Sequence, residues 1–535
     1  MKNLKLLIII CIALVGMFII SCNPESLTNL NKNPDQIENI IPEYSFTAAQ
    51  FDIIPIQNRA LNQGMQFYSS YKEVPAVGDK FYNFETSGNF NRYRTELNRL
   101  MQITDALKDD PNNVNKLAAI EIMRVYHFQI LTDQMGDVPY SEAMQGIANR
   151  KPKYDTQKSI YLGMLSQLEK AINSMDASKP NVFGKADIFF NGNIDKWKRF
   201  GYTLMLRLGM RLSEVEEGTA RQWVEKAAAG GVIKSIDDIV YIQYADISGQ
   251  TNPRSDYLIR MDYSAPGGDN VEGGKYTKKF IDHLKNTRDP RLYVLSCVWV
   301  PLGTTPPTYR ADTVAATQRG MLSGSVNGRP SDFDTYSEPS LLYLDRGRPI
   351  VTFGHAEAYL LLAEAALRGW NVGISDAEAY EKGVRAAMEL WKLCPDVAPH
   401  TGVIPESAVN AYLARNPYVG GSFEEKLEQI ATQYWVSMFD NEFEVWCNWR
   451  RIKLPVFNYA NWTNTDGSLS SYPGNVTGGK MYRRYSIPTN EETLNPDNYK
   501  EALARQGFLE STRDMLLTRV WWDTQARGNG QSNTN

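Results

Sequence analysis

The apolar residues of this chain recur at three- and four-residue steps in runs that come in pairs, a spacing that confines most of it to amphipathic helices packed as hairpins. Between Val114 and Gln134, the residues Leu117, Ile120, Val125, Phe128 and Leu131 fall on one stripe, and Gly136-Asp137-Val138-Pro139 stops the run. Asp155 or Thr156 is placed to cap a second helix, in which Ile160, Met164, Leu168 and Ile172 repeat at i+4. A third run covers 194–212. A fourth, shorter one is opened by the box Thr219-x-x-Gln222 and closed at Gly230-Gly231. These four make two antiparallel hairpins.

The texture then changes. From 246 to 350 there are 10 Gly and 9 Pro, and helical periodicity is lost, so this stretch reads as a loop-rich insertion with a strand at 294–300. Helical pairs resume over 355–368 and 377–391, the second behind the box Ser375-x-x-Glu378, and this Ala-rich pair resembles a tetratricopeptide unit. A further box, Ser422-x-x-Glu425, opens what reads as one long helix through Ile430, Tyr434, Met438, Val445 and Trp449. Trp435, Phe439 and Trp446 make that helix apolar on a second face, which places it at the centre of the core. The part from 455 onward is irregular. The expected fold is therefore mostly α: tetratricopeptide-like hairpins as scaffold over about 89–245 and 350–455, a loop-rich region over about 246–349, an irregular C-terminal part over 455–535, and few short strands.

At 535 residues, 43% hydrophobic and 22% charged, the chain can bury a large core, which excludes disorder or a fibre as whole-chain readings. Lys and Arg number 57 against 61 Asp and Glu, so there is no cationic field to neutralise phosphates, and a nucleic-acid binder is not expected. The N-terminus is more specific. Lys2 and Lys5 precede an apolar run from Leu6 to Ile20, short for a bilayer span, that ends in Ser21-Cys22. This reads as a lipoprotein signal peptide over 1–21, with the Cys22 thiol as the lipid attachment point. Two acyl chains would anchor the protein to a membrane without spanning it. Cleavage would remove two lysines and take the formal charge from −4 to −6. Cys297, Cys394 and Cys447 remain, read as buried small hydrophobes or as one bridge and one free thiol.

Catalytic and metal signatures are sparse. His127, His283, His355 and His400 are scattered without an HExxH spacing, so no metal and no cofactor is expected. The segment from Gly268 to Lys275 approaches a phosphate loop, but an extra Gly precedes the Lys and Tyr276 stands where Ser or Thr is needed. Gly373-Ile-Ser375-Asp-Ala377 lacks the last Gly of a nucleophile elbow and reads as a helix cap. Asp440, Glu442 and Glu444 are the one tempting carboxylate cluster for a glycosidase. Lying next to Arg450 and Arg451, they read as structural ion pairs, and no catalytic residue is assigned.

Several strings then coincide in order. They are Leu27-Thr-Asn-Leu-Asn-Lys-Asn33-Pro34 after the lipobox, Gly136-Asp137-Val138-Pro139-Tyr140, Trp197 with Arg207 and Arg211, Leu361-Leu-Ala363-Glu364-Ala365, Glu442-Phe-Glu444-Val-Trp446 with Trp449-Arg450-Arg451, Arg483-Arg484-Tyr485, and the terminal Val520-Trp521-Trp522-Asp523. Together they resemble the SusD/RagB family of nutrient-binding outer-membrane lipoproteins of the Bacteroidetes, in its SusD-like branch. The resemblance implies a surface-exposed lipoprotein of the outer membrane that binds a nutrient, most often an oligosaccharide. It implies delivery to a SusC-like TonB-dependent transporter, over which the protein closes, and no enzymatic activity. A peptide-binding member of the same family is the alternative, and a surface glycoside hydrolase a further one.

A sugar presents a C–H face that stacks on an aromatic ring and a rim of hydroxyls that needs planar donors and acceptors. Two stretches offer both. Phe67 to Phe84 contributes Tyr68, Tyr71 and Tyr82, and Trp299 to Arg310 contributes Trp299, Tyr309 and Arg310, and these six are the candidate ligand-binding residues. Trp370, in a hairpin turn, and Trp462, in an Asn/Thr-rich loop, read either as ligand rings or as cover for the core, whereas Trp197, Trp446, Trp449, Trp521 and Trp522 read as structural.

Overall fold

A computed structural model describes residues 40–55, 59–69, 90–259, 275–305, 308–323, 330–418, 420–457, 481–508 and 513–524. Residues 1–39 with Cys22, 70–89 with Tyr71 and Tyr82, the glycine-rich 268–274, and Trp462 lie outside them. The longer helices are α1 (Pro42–Phe51), α2 (Asn98–Leu107), α3 (Val114–Met135), α4 (Gln157–Ser174), α5 (Ile194–Arg211), α6 (Glu217–Gly230) and α7 (Lys278–Asn286). The second half adds α8 (His355–Leu367), α9 (Asp376–Glu389), α10 (Glu406–Arg415), α11 (Phe423–Ser437), α12 (Glu442–Ile452) and α13 (Pro496–Arg505). The pairs α3–α4, α5–α6 and α8–α9 pack as hairpins, as the periodicity predicts.

The helix starts show which polar residue wins each cap. Thr156, not Asp155, caps α4, its hydroxyl accepting from the Ser159 N–H at 3.2 Å. Asp155 is taken by the turn after α3, where it accepts from the N–H groups of Tyr140 and Ser141 at 3.1 and 2.7 Å. At α6 the expectation fails. The helix begins at Glu217, two residues before the Thr219 box, with no side-chain cap, and an acid in its first turn suits the positive helix N-terminus instead.

The long helix expected from Ser422 to Trp449 is two helices. The capping box of α11 forms in full, with Glu425 N–H donating to Ser422 Oγ and Ser422 N–H donating to Glu425 Oε2. The break falls at Met438 to Asn441. There the Asn441 side chain accepts from the Glu444 N–H at 3.3 Å to start α12, while Asp440 is drawn aside by Arg348 and by the Tyr343 hydroxyl, both at 2.7 Å. Short polar side chains that compete for backbone or partner groups end a helix that apolar spacing alone would continue.

Short antiparallel ladders position the insertion. Along the chain they are β1 (Tyr68–Ser69), β2 (Val138–Pro139), β3 (Tyr154–Asp155), β4 (Val240–Ile242), β5 (Lys275–Tyr276), β6 (Ser296–Pro301), β7 (Tyr309–Asp312), β8 (Glu338–Pro339) and β9 (Ile350–Phe353). β4 pairs with β9, so the insertion leaves and rejoins the helical scaffold at one place. The strand expected at 294–300 begins at Ser296, because Arg291–Leu295 is a short helix, and it lies between β7 and β8.

One apolar core runs through both halves of the scaffold, with Trp197, Trp435, Trp446, Trp449 and Trp522 buried in it. Trp370 is also buried, so of its two readings it is cover for the core. Arginine–carboxylate pairs cross this core. Arg207 holds Glu357 through two contacts of 2.7 Å, Arg211 holds Glu444 at 2.6 Å, and Arg451 holds Glu364 at 2.5 Å. Asp440 and Glu442 both take Arg254, at 3.3 and 3.0 Å. The three carboxylates of the cluster are therefore paired, but with arginines from distant elements rather than with Arg450 and Arg451. Arg450 instead donates to the carbonyls of Asp133 and Arg483, and its guanidinium lies 3.4 Å from the Trp446 ring centroid. All three cysteines are free thiols, so the option of a bridge is not realised.

Candidate functional site

The two candidate stretches meet on one strand layer. β1 pairs with β5 through Tyr68↔Tyr276 and Ser69↔Lys275. β5 lies against β8, where the Tyr276 N–H donates to the Ser337 carbonyl at 3.0 Å and Lys275 forms an ion pair with Glu338. β8 in turn pairs with β6, and β6 with β7. Residues some 230 apart in sequence thus share a strand layer that no local pattern announces.

Register sorts the candidates. Trp299 stands opposite Ala311 and Pro301 opposite Tyr309, and alternation along a strand then places Trp299 and Tyr309 on one face as diagonal neighbours. Arg310 stands opposite Val300, on the other face. Trp299 is buried, and its indole N–H has no hydrogen-bond partner among the described residues. Tyr309 is half-buried and Arg310 exposed. Tyr68 is placed differently, as its buried ring stacks on Tyr276 at 5.0 Å and lies 5.9 Å from Phe439. That ring belongs to the core and offers no platform.

Sequence reasoning missed a third group at the same layer. Arg319 is bound to β8's approach through its backbone, which exchanges hydrogen bonds with Ser337. Its guanidinium lies 4.4 Å from the centroid of the Tyr336 ring and donates to Asp332 at 2.8 Å and to Thr335 at 2.9 Å. An exposed planar donor braced on a ring is the kind of group a hydroxyl rim requires. No spacing links Arg319 to residues 332–336; only the fold joins them. Leu302, Val314 and Leu322 add exposed apolar surface on the same part of the chain.

The electrostatics are those of a held scaffold rather than of a poised acid–base pair. Burial raises Glu338, against the pull of the Lys275 ammonium. Burial also pushes the Cys297 thiol well up, which leaves it protonated and inert. At Asp440, burial is outweighed by the guanidinium groups of Arg348 and Arg254, and the carboxyl sits below its ordinary range. With Arg348 it walls a cavity of about 70 Å³ beside the α11–α12 break, room for a few waters. Among the described residues no group of three His, Cys, Asp or Glu is arranged to hold a metal ion.

The fold is a helical-repeat scaffold whose loop-rich insertion carries aromatic and planar polar groups on a strand layer. Residues 34–472 match the SusD-like family model described as starch-binding and associating with the outer membrane, and the chain belongs to that family. A solved structure described as a chitin-binding protein is 30% identical, with a TM-score of 0.72, over 90% of this chain and 100% of its own. A SusD-like protein from the Bacteroidetes shares 24% identity at a TM-score of 0.75, over 91% of this chain and all of its own. A chitin-binding SusD homolog from Flavobacterium johnsoniae shares 22% at 0.69, over 90% and 98%. These last two likenesses are of fold. No curated protein matches the chain. The family is associated with the outer membrane, and no helix among the described residues is long and apolar enough to cross a membrane.

Proposed function

We propose that this protein captures an oligosaccharide at the surface of the outer membrane and passes it, unhydrolysed, to a SusC-like TonB-dependent transporter, held there by lipid on Cys22. The observation that carries the reading is the family match over 34–472, joined to a full-length chitin-binding relative at 30% identity. That relative makes N-acetylglucosamine oligomers the first ligands to try. The strand layer supports the reading physically. Half-buried Tyr309 offers a ring and exposed Arg319 a braced guanidinium, whereas Trp299 is buried like Tyr68 and serves as support rather than platform, its N–H without a partner among the described residues. Carboxylates at 440–444 are neutralised by arginines, which suits binding without turnover.

Removing a stacking ring costs roughly 0.5–1.5 kcal/mol and removing a charged hydrogen-bond donor about 1.5–3, so Tyr309→Ala and Arg319→Ala are each expected to weaken binding of a chito-oligosaccharide about tenfold while leaving the melting temperature unchanged. Wild-type affinity in both variants would remove the ligand from this layer. Cys22→Ala is expected to release the protein from the membrane fraction.

A further inference from the structure

A separate pocket of about 480 Å³ opens on the helical scaffold between α7, α9, α10 and α11, and none of its lining residues belongs to the strand layer. We propose that it is a second binding site, for a neutral saccharide of one or two rings.

The floor is rigid and aromatic. Tyr380 and Tyr412 are buried there, and the Tyr380 ring is braced by Tyr418 at 4.6 Å. Gln433 is fixed at both ends, donating to the Tyr412 hydroxyl at 2.7 Å and accepting from Arg291 at 3.1 Å. Arg291 is itself neutralised by Asp289 at 2.6 Å. The floor therefore carries no net charge toward the opening.

The walls hold unmet hydrogen-bonding capacity. His283 Nε2 and Gln429 Oε1 are buried without a partner among the described residues, and both side chains line the pocket. Orphaned buried polar atoms are uncommon in folded proteins, and a hydroxyl, which both donates and accepts, satisfies either one. The His283 ring is held edge-on by Trp435 at 5.9 Å. Burial lowers its imidazole to about 4, so it is neutral at physiological pH.

Charge and size narrow the ligand class. No Lys or Arg is among the described lining residues, and two exposed carboxylates, Glu425 and Glu428, are, which disfavours anions. The volume falls within the roughly 300–1,000 Å³ of small-ligand sites and suits one or two sugar rings. The amide of Gln429 and the imidazole of His283 match the hydroxyls of such a ligand, while the buried Tyr380 and Tyr412 keep the floor rigid.

The chain has four histidines, so the His283 imidazole resonance can be followed by NMR and assigned by its loss in His283→Gln. Titrating the mature protein with N,N′-diacetylchitobiose and with maltose is expected to shift that resonance saturably, and Gln429→Leu is expected to weaken the response about tenfold. Thr432→Trp, which fills the opening from the surface of α11, is expected to abolish it. Tyr309→Ala, on the strand layer, is expected to leave it intact, which separates this site from the one proposed above. No shift with either disaccharide at millimolar concentration overturns the proposal, whatever the strand layer binds. A shift lost in Tyr309→Ala but kept in Thr432→Trp overturns it as well.

Discussion

At the scale of residues, the strings that mark the family are mostly the charged groups that tie helices together. Glu444 on α12 accepts from Arg211 and Gln129, each at 2.6 Å, and thereby joins α12 to α5 and α3. Removing one partner of a buried pair leaves the other charge uncompensated, so Glu444→Gln is expected to lower stability by about 3–5 kcal/mol. Urea unfolding reads this as a fall in midpoint at unchanged slope, and a loss under about 1 kcal/mol would contradict it. Asp523 closes the C-terminus in the same way, taking Arg483, Lys453 and Arg519 on one carboxylate. Burial works against ionisation at Glu364 and Asp523, but their cationic partners outweigh it and hold both carboxyls at about 2, from ordinary values of 4.5 and 3.8. A depressed carboxyl stabilises the fold fully above its unfolded pKa and loses that contribution as pH falls toward the folded one. Stability is therefore expected to be flat in these groups at neutral pH and to drop between about pH 4.5 and 2, by roughly 3 kcal/mol for Glu364 and roughly 2 for Asp523. Glu364→Gln should flatten part of that slope in unfolding measured against pH. The candidate ring Tyr68 shows what residue type cannot tell. An aromatic beside a predicted loop reads as a platform, yet the pairing of β1 with β5, between partners some 200 residues apart, turns it into core.

At the scale of elements, the helices were legible where apolar spacing and a cap agree, as at Thr156 for α4 and Ser422 for α11. They were illegible where a tertiary partner decides. The interruption between α11 and α12 depends on Arg348 reaching Asp440, and Arg348 lies some 90 residues away in sequence. Ser422→Ala removes one half of a complete capping box and is expected to cost about 1 kcal/mol. Thr219→Ala, in a box that the structure does not form, is expected to change stability by less than about 0.5 kcal/mol. Equal effects in thermal unfolding of the two variants would contradict this assignment of caps. The strand layer was the least legible element, because strands of two to six residues carry too little alternation to be read.

At the scale of the whole molecule, a helical scaffold with a rigid buried ion network presents one inserted region that leaves and returns through the β4–β9 ladder. That division suits a protein whose architecture is held constant while its recognition surface varies. Fold class and family were legible because long periodic helices and ordered strings survive in sequence. The candidate strand layer was less so: the pairing of β6 with β7 puts Trp299 and Tyr309 on one face, and the contacts of Arg319 with residues 332–337 are set by the fold alone. The central claim is capture without turnover. Its most direct test is calorimetry of the soluble mature chain with chito-oligosaccharides and malto-oligosaccharides, with product analysis of the same mixtures. The account predicts saturable heat with one of these series and ligand recovered intact. New reducing ends in the recovered mixture, or no heat with either series, would contradict it.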